Sequence, residues 1–136
     1  MARRLILDTT VLVSAERDGT RLDEVLDDGD DVAIAAITAA ELLMGVELAT
    51  PTRRQAREAF VTDVLATVPI EEYDLEVARM HARLLAHVRR TGRPRPRGAH
   101  DLIIAATAAA TGRTVVTSDA NGFDQLPDVA MLDRTH

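Results

Sequence analysis

Three acidic residues of this chain, Asp8, Glu41 and Asp119, each lie within a few residues of the end of an apolar segment. If the fold brings these carboxylates to about 4 Å from one another, each pair repels by about 4 kcal/mol at an effective dielectric near 20. Protons or a hard cation such as Mg²⁺ or Mn²⁺ can neutralise such a cluster. A metal ion held by carboxylates polarises a phosphodiester oxygen and activates water. The residue types therefore raise the hypothesis of metal-assisted phosphodiester hydrolysis.

Each acidic residue at an element boundary also has a structural explanation. Glu41 lies three residues after Thr38, which matches the T-x-x-E capping box at a helix start. Asp101 falls in the first turn of a predicted helix, where negative charge is favourable. Asp119 fits a turn, and Asp8 could cap the helix that follows it. Taken singly, these residues do not decide between catalysis and local stabilisation.

The apolar pattern alternates between predicted strands and helices, which favours an α/β fold. We expect a three-layer α/β/α sandwich with a mainly parallel central sheet, formed by a single domain over residues 1–136. In such a sheet the carboxyl ends of the strands share one edge, so Asp8, Glu41 and Asp119 should converge there. The predicted strands are Leu5–Leu7, Val32–Ile37, Thr114–Thr117 and Val129–Leu132, with a brief extended piece at Val68–Ile70.

The helices are predicted from apolar spacing and from their end signals. Gly19, Gly92 and Gly112 are expected to end helices, Thr52 to cap one after Pro51, and Asp74 to open a long helix. The apolar positions of that long helix include Leu75, Ala78, Leu85 and Val88. A further short helical stripe is expected at Leu22, Val25 and Leu26.

The composition excludes several kinds of chemistry. The chain has 136 residues, with 22 acidic and 16 basic ones, a net charge of −6 and no cysteine. All the basic residues are arginine, so a mechanism that needs lysine, such as P-loop phosphate binding or a Schiff base, is excluded. The absence of cysteine excludes disulfides and thiolate metal sites. No apolar run approaches a membrane span and no signal peptide is evident, so we expect a cytoplasmic protein.

Basic residues are concentrated in the segment RRTGRPRPR, from Arg89 to Arg97. Two interpretations explain this segment equally well. It is either a solvated loop or an edge that contacts phosphates or a protein partner. Arg93, Arg95 and Arg97 are accordingly candidate RNA-binding residues beside the acidic site.

Four segments of the chain together resemble the PIN-domain ribonucleases, and the Glu-Leu-x-x-Gly form is similar to the VapC-type toxins of bacterial toxin–antitoxin pairs. The resemblance covers essentially the whole chain. In chain order the segments are LILDTTVL from Leu5, ITAAELLMG from Ile37, GAHDLIIAATA from Gly98 and VTSD from Val116.

The resemblance implies an endoribonuclease that depends on Mg²⁺ or Mn²⁺, acts on an RNA substrate, pairs with a cognate antitoxin and forms a homodimer. Carried over by position, Asp8, Glu41, Asp101 and Asp119 form the catalytic acidic quartet. Of these, Asp8, Asp101 and Asp119 are the implied metal ligands and Glu41 orients the attacking water. Supporting hydroxyls are implied at Thr9, Thr10 and Thr117.

The chain departs from the family pattern at two places. Thr10 stands where the family often has serine, and Phe123-Asp124 reverses the usual Asp-Phe order, so Asp124 is left out of the predicted site.

Two other functions are compatible with the pattern. A phosphotransfer domain also places an aspartate at a strand end, but it lacks support here: a receiver needs lysine, and a dehalogenase-like phosphatase needs a second aspartate where Thr10 stands. A non-catalytic RNA- or protein-binding module of the same fold would instead use the Arg89–Arg97 loop.

Overall fold

The computed structural model describes residues 2–19, 26–92, 99–119, 123 and 126–133. Strands and helices alternate along most of the chain. In order, the elements are β1 (Arg4–Leu7), α1 (Thr9–Asp18), β2 (Asp31–Ala35), α2 (Ala36–Glu47), α3 (Pro51–Thr67), β3 (Ile70–Glu71), α4 (Leu75–Thr91), α5 (Ala99–Thr111), β4 (Thr114–Thr117) and β5 (Met131–Asp133).

The described strands form one sheet in the order β3-β2-β1-β4-β5, and every pairing in it is parallel. The predicted α/β class with a mainly parallel central sheet is therefore confirmed. Strand β1 lies at the centre and is bonded to β2 on one side and to β4 on the other. Its residues Leu5, Ile6 and Leu7 are all buried, as expected for a strand that is covered on both faces.

Side chains from successive strand positions enter two separate cores, one on each face of the sheet. Leu5 and Leu7 pack with apolar residues of α1, α2 and α3, whereas Ile6 packs with those of α4 and α5. The period-two alternation of a strand explains this division. Three layers result, with the sheet in the middle.

Strand β2 is shorter than the sequence predicts. It ends at Ala35, and helix α2 begins at Ala36, so Ile37 lies in the helix. The predicted capping box is consequently wrong, because Ala35 is the N-cap and Thr38 is already inside the first turn. Thr38 is fully buried there, and Glu41 lies one turn further along.

Other boundaries also differ from the prediction. The predicted cap at Thr52 is wrong, since α3 begins at Pro51 with Thr50 as its N-cap, in keeping with the preference for proline in the first helical turn. The last strand begins at Met131 rather than Val129. The capping of α4 by Asp74 is confirmed by a 3.0 Å hydrogen bond from the Val77 amide to Oδ1.

The buried face of α4 is formed by Val77, Leu84 and Val88, whereas Leu75 and Leu85 are exposed. Two of the four predicted apolar positions therefore lie outside the core. Of the predicted stripe at 22–26, Leu22 and Val25 fall outside the described residues. No helix in the described ranges combines the length and apolarity that a membrane crossing requires.

Arg113 ties the strands together next to the start of β4. Its side chain is only 6% exposed. Nη1 donates to the backbone oxygens of Leu5 (3.1 Å) and Asp31 (2.8 Å) and lies 3.1 Å from Asp31 Oδ1, while Nη2 lies 3.3 Å from Glu71 Oε1. This guanidinium therefore joins β1, β2 and β3 from a position next to β4.

Candidate active site

Asp8 occupies the turn between β1 and α1, at the carboxyl edge of the central strand. Its side chain is almost wholly buried, and its backbone N–H donates to the Val116 carbonyl of the neighbouring β4 at 2.9 Å. The hydroxyls of Thr10 and Thr117 both donate to Oδ2, at 2.8 and 2.9 Å. Burial raises the pKa of the Asp8 carboxyl above its ordinary value, and these hydrogen bonds oppose that rise.

The two threonine hydroxyls are themselves held by the backbone that follows β4. The amide of Ser118 donates to Thr10 Oγ1 at 3.2 Å, and the amide of Asp119 donates to Thr117 Oγ1 at 2.9 Å. Each hydroxyl thus accepts one hydrogen bond from a backbone amide and donates one to Asp8. The arrangement fixes Asp8 and places the backbone of Asp119 beside it.

Glu41 reaches the same edge from the second turn of α2. Thr9 Oγ1 donates to Glu41 Oε1 at 2.8 Å and lies 3.3 Å from Thr38 Oγ1. His100 Nδ1 lies 3.4 Å from the other carboxylate oxygen, Oε2. Side chains of α1 and α5 therefore hold the two oxygens of Glu41 from different sides. The contact with His100 joins helices that lie on opposite faces of the sheet.

Asp101 comes to the cluster from the first turn of α5. Its pKa is raised to about 6, mainly by burial and then by repulsion from Asp8, Asp119 and Glu41, whereas the nearby His100 lowers it. The structure therefore brings all the predicted acids together, including Asp101, for which the sheet geometry alone made no prediction. The repulsion within the cluster acts mainly on Asp101, because the neighbouring carboxylates disfavour its charge.

The donor chemistry of this cluster suits a hard cation. The available ligands are carboxylate oxygens whose mutual repulsion a divalent ion would relieve. Within the part of the chain that the structure describes, no three His, Asp or Glu side chains are already arranged to hold an ion among them. Mg²⁺ commonly keeps several waters and uses only one or two carboxylates, so a fully formed cage is not required.

Several residues that the sequence analysis singled out lie outside the described part of the chain or away from the acidic cluster. Arg93, Arg95, Arg97 and Asp124 are among the residues that the structure does not describe, so the basic loop stays a prediction. Arg89 and Arg90 are exposed at the end of α4. The contact of His100 with Glu41 was not predicted, because only tertiary packing reveals it.

The parallel sheet and the carboxylate cluster at its carboxyl edge define an α/β domain with an acidic site suited to phosphodiester chemistry. The model of the family described as PIN domain matches residues 5–129. The chain therefore belongs to the PIN-domain family.

Within this family the chain is similar to VapC proteins. It is 40% identical over 114 residues to Ribonuclease VapC5 of Mycobacterium tuberculosis. This alignment covers 84% of this chain and 82% of the relative. A VapBC-5 structure from the same organism, described as a member of the VapBC family of toxin-antitoxin systems, aligns with a TM-score of 0.76 and 34% identity over 96% and 98% of the two chains. DNA-bound VapBC from Salmonella typhimurium aligns with a TM-score of 0.84 and 25% identity over 98% of each chain. The predicted resemblance to PIN-domain, VapC-type proteins is confirmed.

Proposed function

We propose that the protein is an endoribonuclease toxin that hydrolyses phosphodiester bonds in RNA and is neutralised by a cognate antitoxin. The observation that carries the proposal is the convergence of Asp8, Glu41, Asp101 and Asp119 at one edge of a PIN-domain sheet. The similarity to Ribonuclease VapC5 and to a VapBC-5 complex over most of each chain supports both the activity and the partner.

Asp8 and Asp101 are proposed to hold Mg²⁺ or Mn²⁺ directly, and Asp119 to join them directly or through a bound water. When bound, such an ion stabilises negative charge on a phosphodiester oxygen and lowers the pKa of water. The chain supplies the ionised carboxylates for it. Thr10 and Thr117 keep Asp8 Oδ2 in a fixed direction through their hydrogen bonds.

Glu41 is proposed to orient the attacking water. Thr9 and His100 fix its two oxygens, so a water bound to this carboxylate has a defined position relative to Asp8 and Asp101. In the hydrolysis the water oxygen forms a bond to phosphorus and the water proton passes to an acceptor in the acidic cluster. The bond to the leaving ribose oxygen breaks, and that oxygen takes up a proton from solvent water. A rigid carboxylate favours this step because the reactants are aligned before the reaction.

The partners follow from the same family relation. The antitoxin would be a separate protein, as in the VapBC complexes to which the chain is similar. We also infer a homodimer and action in the cytoplasm, where the RNA substrate is found; sedimentation of the purified chain tests the former.

The activity is tested with the purified, antitoxin-free protein and total cellular RNA in Mg²⁺, in Mn²⁺ and in a chelator. We expect discrete fragments that require the metal and are absent with Asp8→Asn. Asp18→Asn is a matched control, because Asp18 is an exposed acid at the far end of helix α1, whose N-cap is Asp8. Cleavage that persists in chelator and in Asp8→Asn would refute the proposal. RNA that is bound but left intact would favour a non-catalytic binding module.

A further inference from the structure

A small cavity opens beside the acidic cluster, between α1, α2 and α3. Its volume is about 130 Å³, and it shares two wall residues, Thr9 and Glu41, with the candidate active site. A substrate whose phosphate lies at the carboxylates would therefore have its neighbouring groups at the mouth of this cavity. The acidic cluster and the cavity form one continuous surface.

The walls of the cavity are mainly apolar and aromatic. Val13, Leu42, Phe60 and Val61 contribute apolar side chains to the lining. A cavity of about 150 Å³ in another protein holds a benzene ring, so the space here matches one six-membered ring. The side chain of Phe60 provides a ring against which a planar group can pack.

Polar groups at the rim can recognise the edge of such a ring. Arg57 Nε lies 3.2 Å from Glu16 Oε1, and Arg57 Nη1 approaches the Gly45 carbonyl oxygen at 3.4 Å. Both side chains are partly exposed, at 30% for Arg57 and 21% for Glu16. The remaining guanidinium N–H groups can donate to a ring carbonyl, and the second carboxylate oxygen of Glu16 can accept from a ring N–H or amino group.

The charge of the walls determines which part of a nucleic acid fits. Glu16 and Glu41 both line the cavity, and Arg57 is already paired with Glu16. These carboxylates disfavour a phosphate, whereas a nucleobase is neutral and planar and carries donors and acceptors on its edge. The cavity therefore suits a base rather than the backbone.

We propose that this cavity is a nucleobase subsite that receives one pyrimidine next to the bond that is cut. The inference depends on the proposed function for its substrate class, and it adds a sequence preference that the carboxylates alone cannot give. A single-ring base fits the volume, whereas the second ring of a purine would remain outside.

Gly45 allows the cavity to be filled without disturbing the acids. It lies in α2, and a Cβ at this position would come no closer than 3.8 Å to Arg57 Cδ, an ordinary contact. Alanine and valine both favour a helix more than glycine does, so Gly45→Ala and Gly45→Val should fold. The added methyl groups would occupy space that we assign to the base.

The experiment compares RNA oligonucleotides that differ only at one nucleotide beside the cleaved bond and carry there a pyrimidine, a purine or no base. Binding is measured by fluorescence anisotropy in chelator, and cleavage is measured as kcat and KM in Mn²⁺. We expect the wild-type protein to prefer the pyrimidine over the abasic position by about 5- to 150-fold, the range expected for one base–aromatic contact. This preference should shrink in Gly45→Ala and disappear in Gly45→Val, mainly through KM. Ala40→Val is the matched control on the same helix, because Ala40 is exposed and lies outside the cavity wall.

The outcomes separate this proposal from the proposed activity. If Gly45→Val cuts RNA with the wild-type base preference, the subsite is refuted and the nuclease stands. If RNA is bound with a pyrimidine preference that Gly45→Val loses, but no variant or wild type cuts it, the subsite stands and the nuclease is refuted. If the wild type neither binds nor cuts RNA, both are refuted. If Gly45→Val keeps the base preference but escapes inhibition by the antitoxin, the cavity belongs to the protein partner and the subsite is overturned.

Discussion

The substitution Thr117→Val tests the hydroxyl network around Asp8 most directly. The buried hydroxyl of Thr117 donates to Asp8 Oδ2 at 2.9 Å and accepts from the Asp119 amide at 2.9 Å. Valine keeps the shape but removes a hydrogen bond to a charged group, worth about 1.5–3 kcal/mol, and it removes the oxygen that accepts from the Asp119 amide. Because Asp119 is partly exposed and water can reach it, we expect a net loss of about 2–3 kcal/mol in the free energy of unfolding at pH 7.5.

The pH dependence distinguishes loss of the carboxylate contact from general loss of packing. Burial already raises the pKa of Asp8 in the folded protein, so its ionised form weakens the fold at neutral pH and this penalty disappears as the carboxyl protonates. Without the Thr117 hydroxyl the pKa of Asp8 should rise further. The difference in stability between variant and wild type should therefore be large at pH 7.5 and smaller at pH 4.5.

Chemical denaturation in chelator at these two pH values measures the effect, with Thr107→Val as the matched control. Thr107 is equally buried, but its hydroxyl donates at 2.7 Å to the Ile103 carbonyl within helix α5, away from the acids. We expect the control to lose about 1 kcal/mol or less at both pH values. A Thr117→Val penalty that is the same at pH 7.5 and pH 4.5, or no larger than that of the control, would refute the reasoning.

Three further predictions concern charge and the fold. Because the pKa of Asp101 is raised to about 6, the metal-free protein should become more stable as the pH falls from 7.5 to 5, by about 1–2 kcal/mol after allowing for partial exposure. Asp101→Asn should be more stable than the wild type at pH 7.5 and should lose most of this dependence on pH. Denaturation midpoints that do not change with pH or with the substitution would contradict the prediction. Mn²⁺ should raise the thermal midpoint of the wild type but not that of Asp8→Asn, as scanning calorimetry can measure, and an equal rise in both would exclude Asp8 as a ligand. Arg113→Met should lower the free energy of unfolding by about 3–5 kcal/mol, because it removes hydrogen bonds that join the strands and leaves Glu71 without its cation. Urea denaturation at pH 7.5 can measure this. A loss below 1 kcal/mol would show that the Arg113 guanidinium is dispensable.

The sequence was sufficient for the features that depend on local pattern. Leu5–Leu7 and Thr114–Thr117 are short, largely apolar segments with polar residues on both sides. The structure has both as buried parallel strands. Gly19 and Gly112 end their helices with positive φ values of 68° and 67°, a conformation that glycine adopts readily. These signals do not need information from distant parts of the chain.

The errors arise where local pattern permits two structures. Ala36-Ile37 continues an apolar run, so it reads equally well as strand or helix, and tertiary packing places it in α2. That shift moved Thr38 from the predicted cap into the core, where its hydroxyl lies 3.3 Å from Thr9 Oγ1. Long-range contacts were likewise inaccessible: the clamp made by Arg113 and the approach of His100 to Glu41 depend on how distant elements pack.

The order of the carboxylates along the chain has a consequence for biosynthesis. Asp8 and Glu41 are translated early, but Asp101 and Asp119 belong to the last third of the sequence, and the central strand gains its second neighbour only when β4 has been made. Domains of this kind fold as units during synthesis. A nascent chain therefore carries only two of the four acids until residue 101 has been made, and it carries all four only after residue 119. The ribosome and the message that produce the protein therefore meet no complete cluster on any shorter nascent chain.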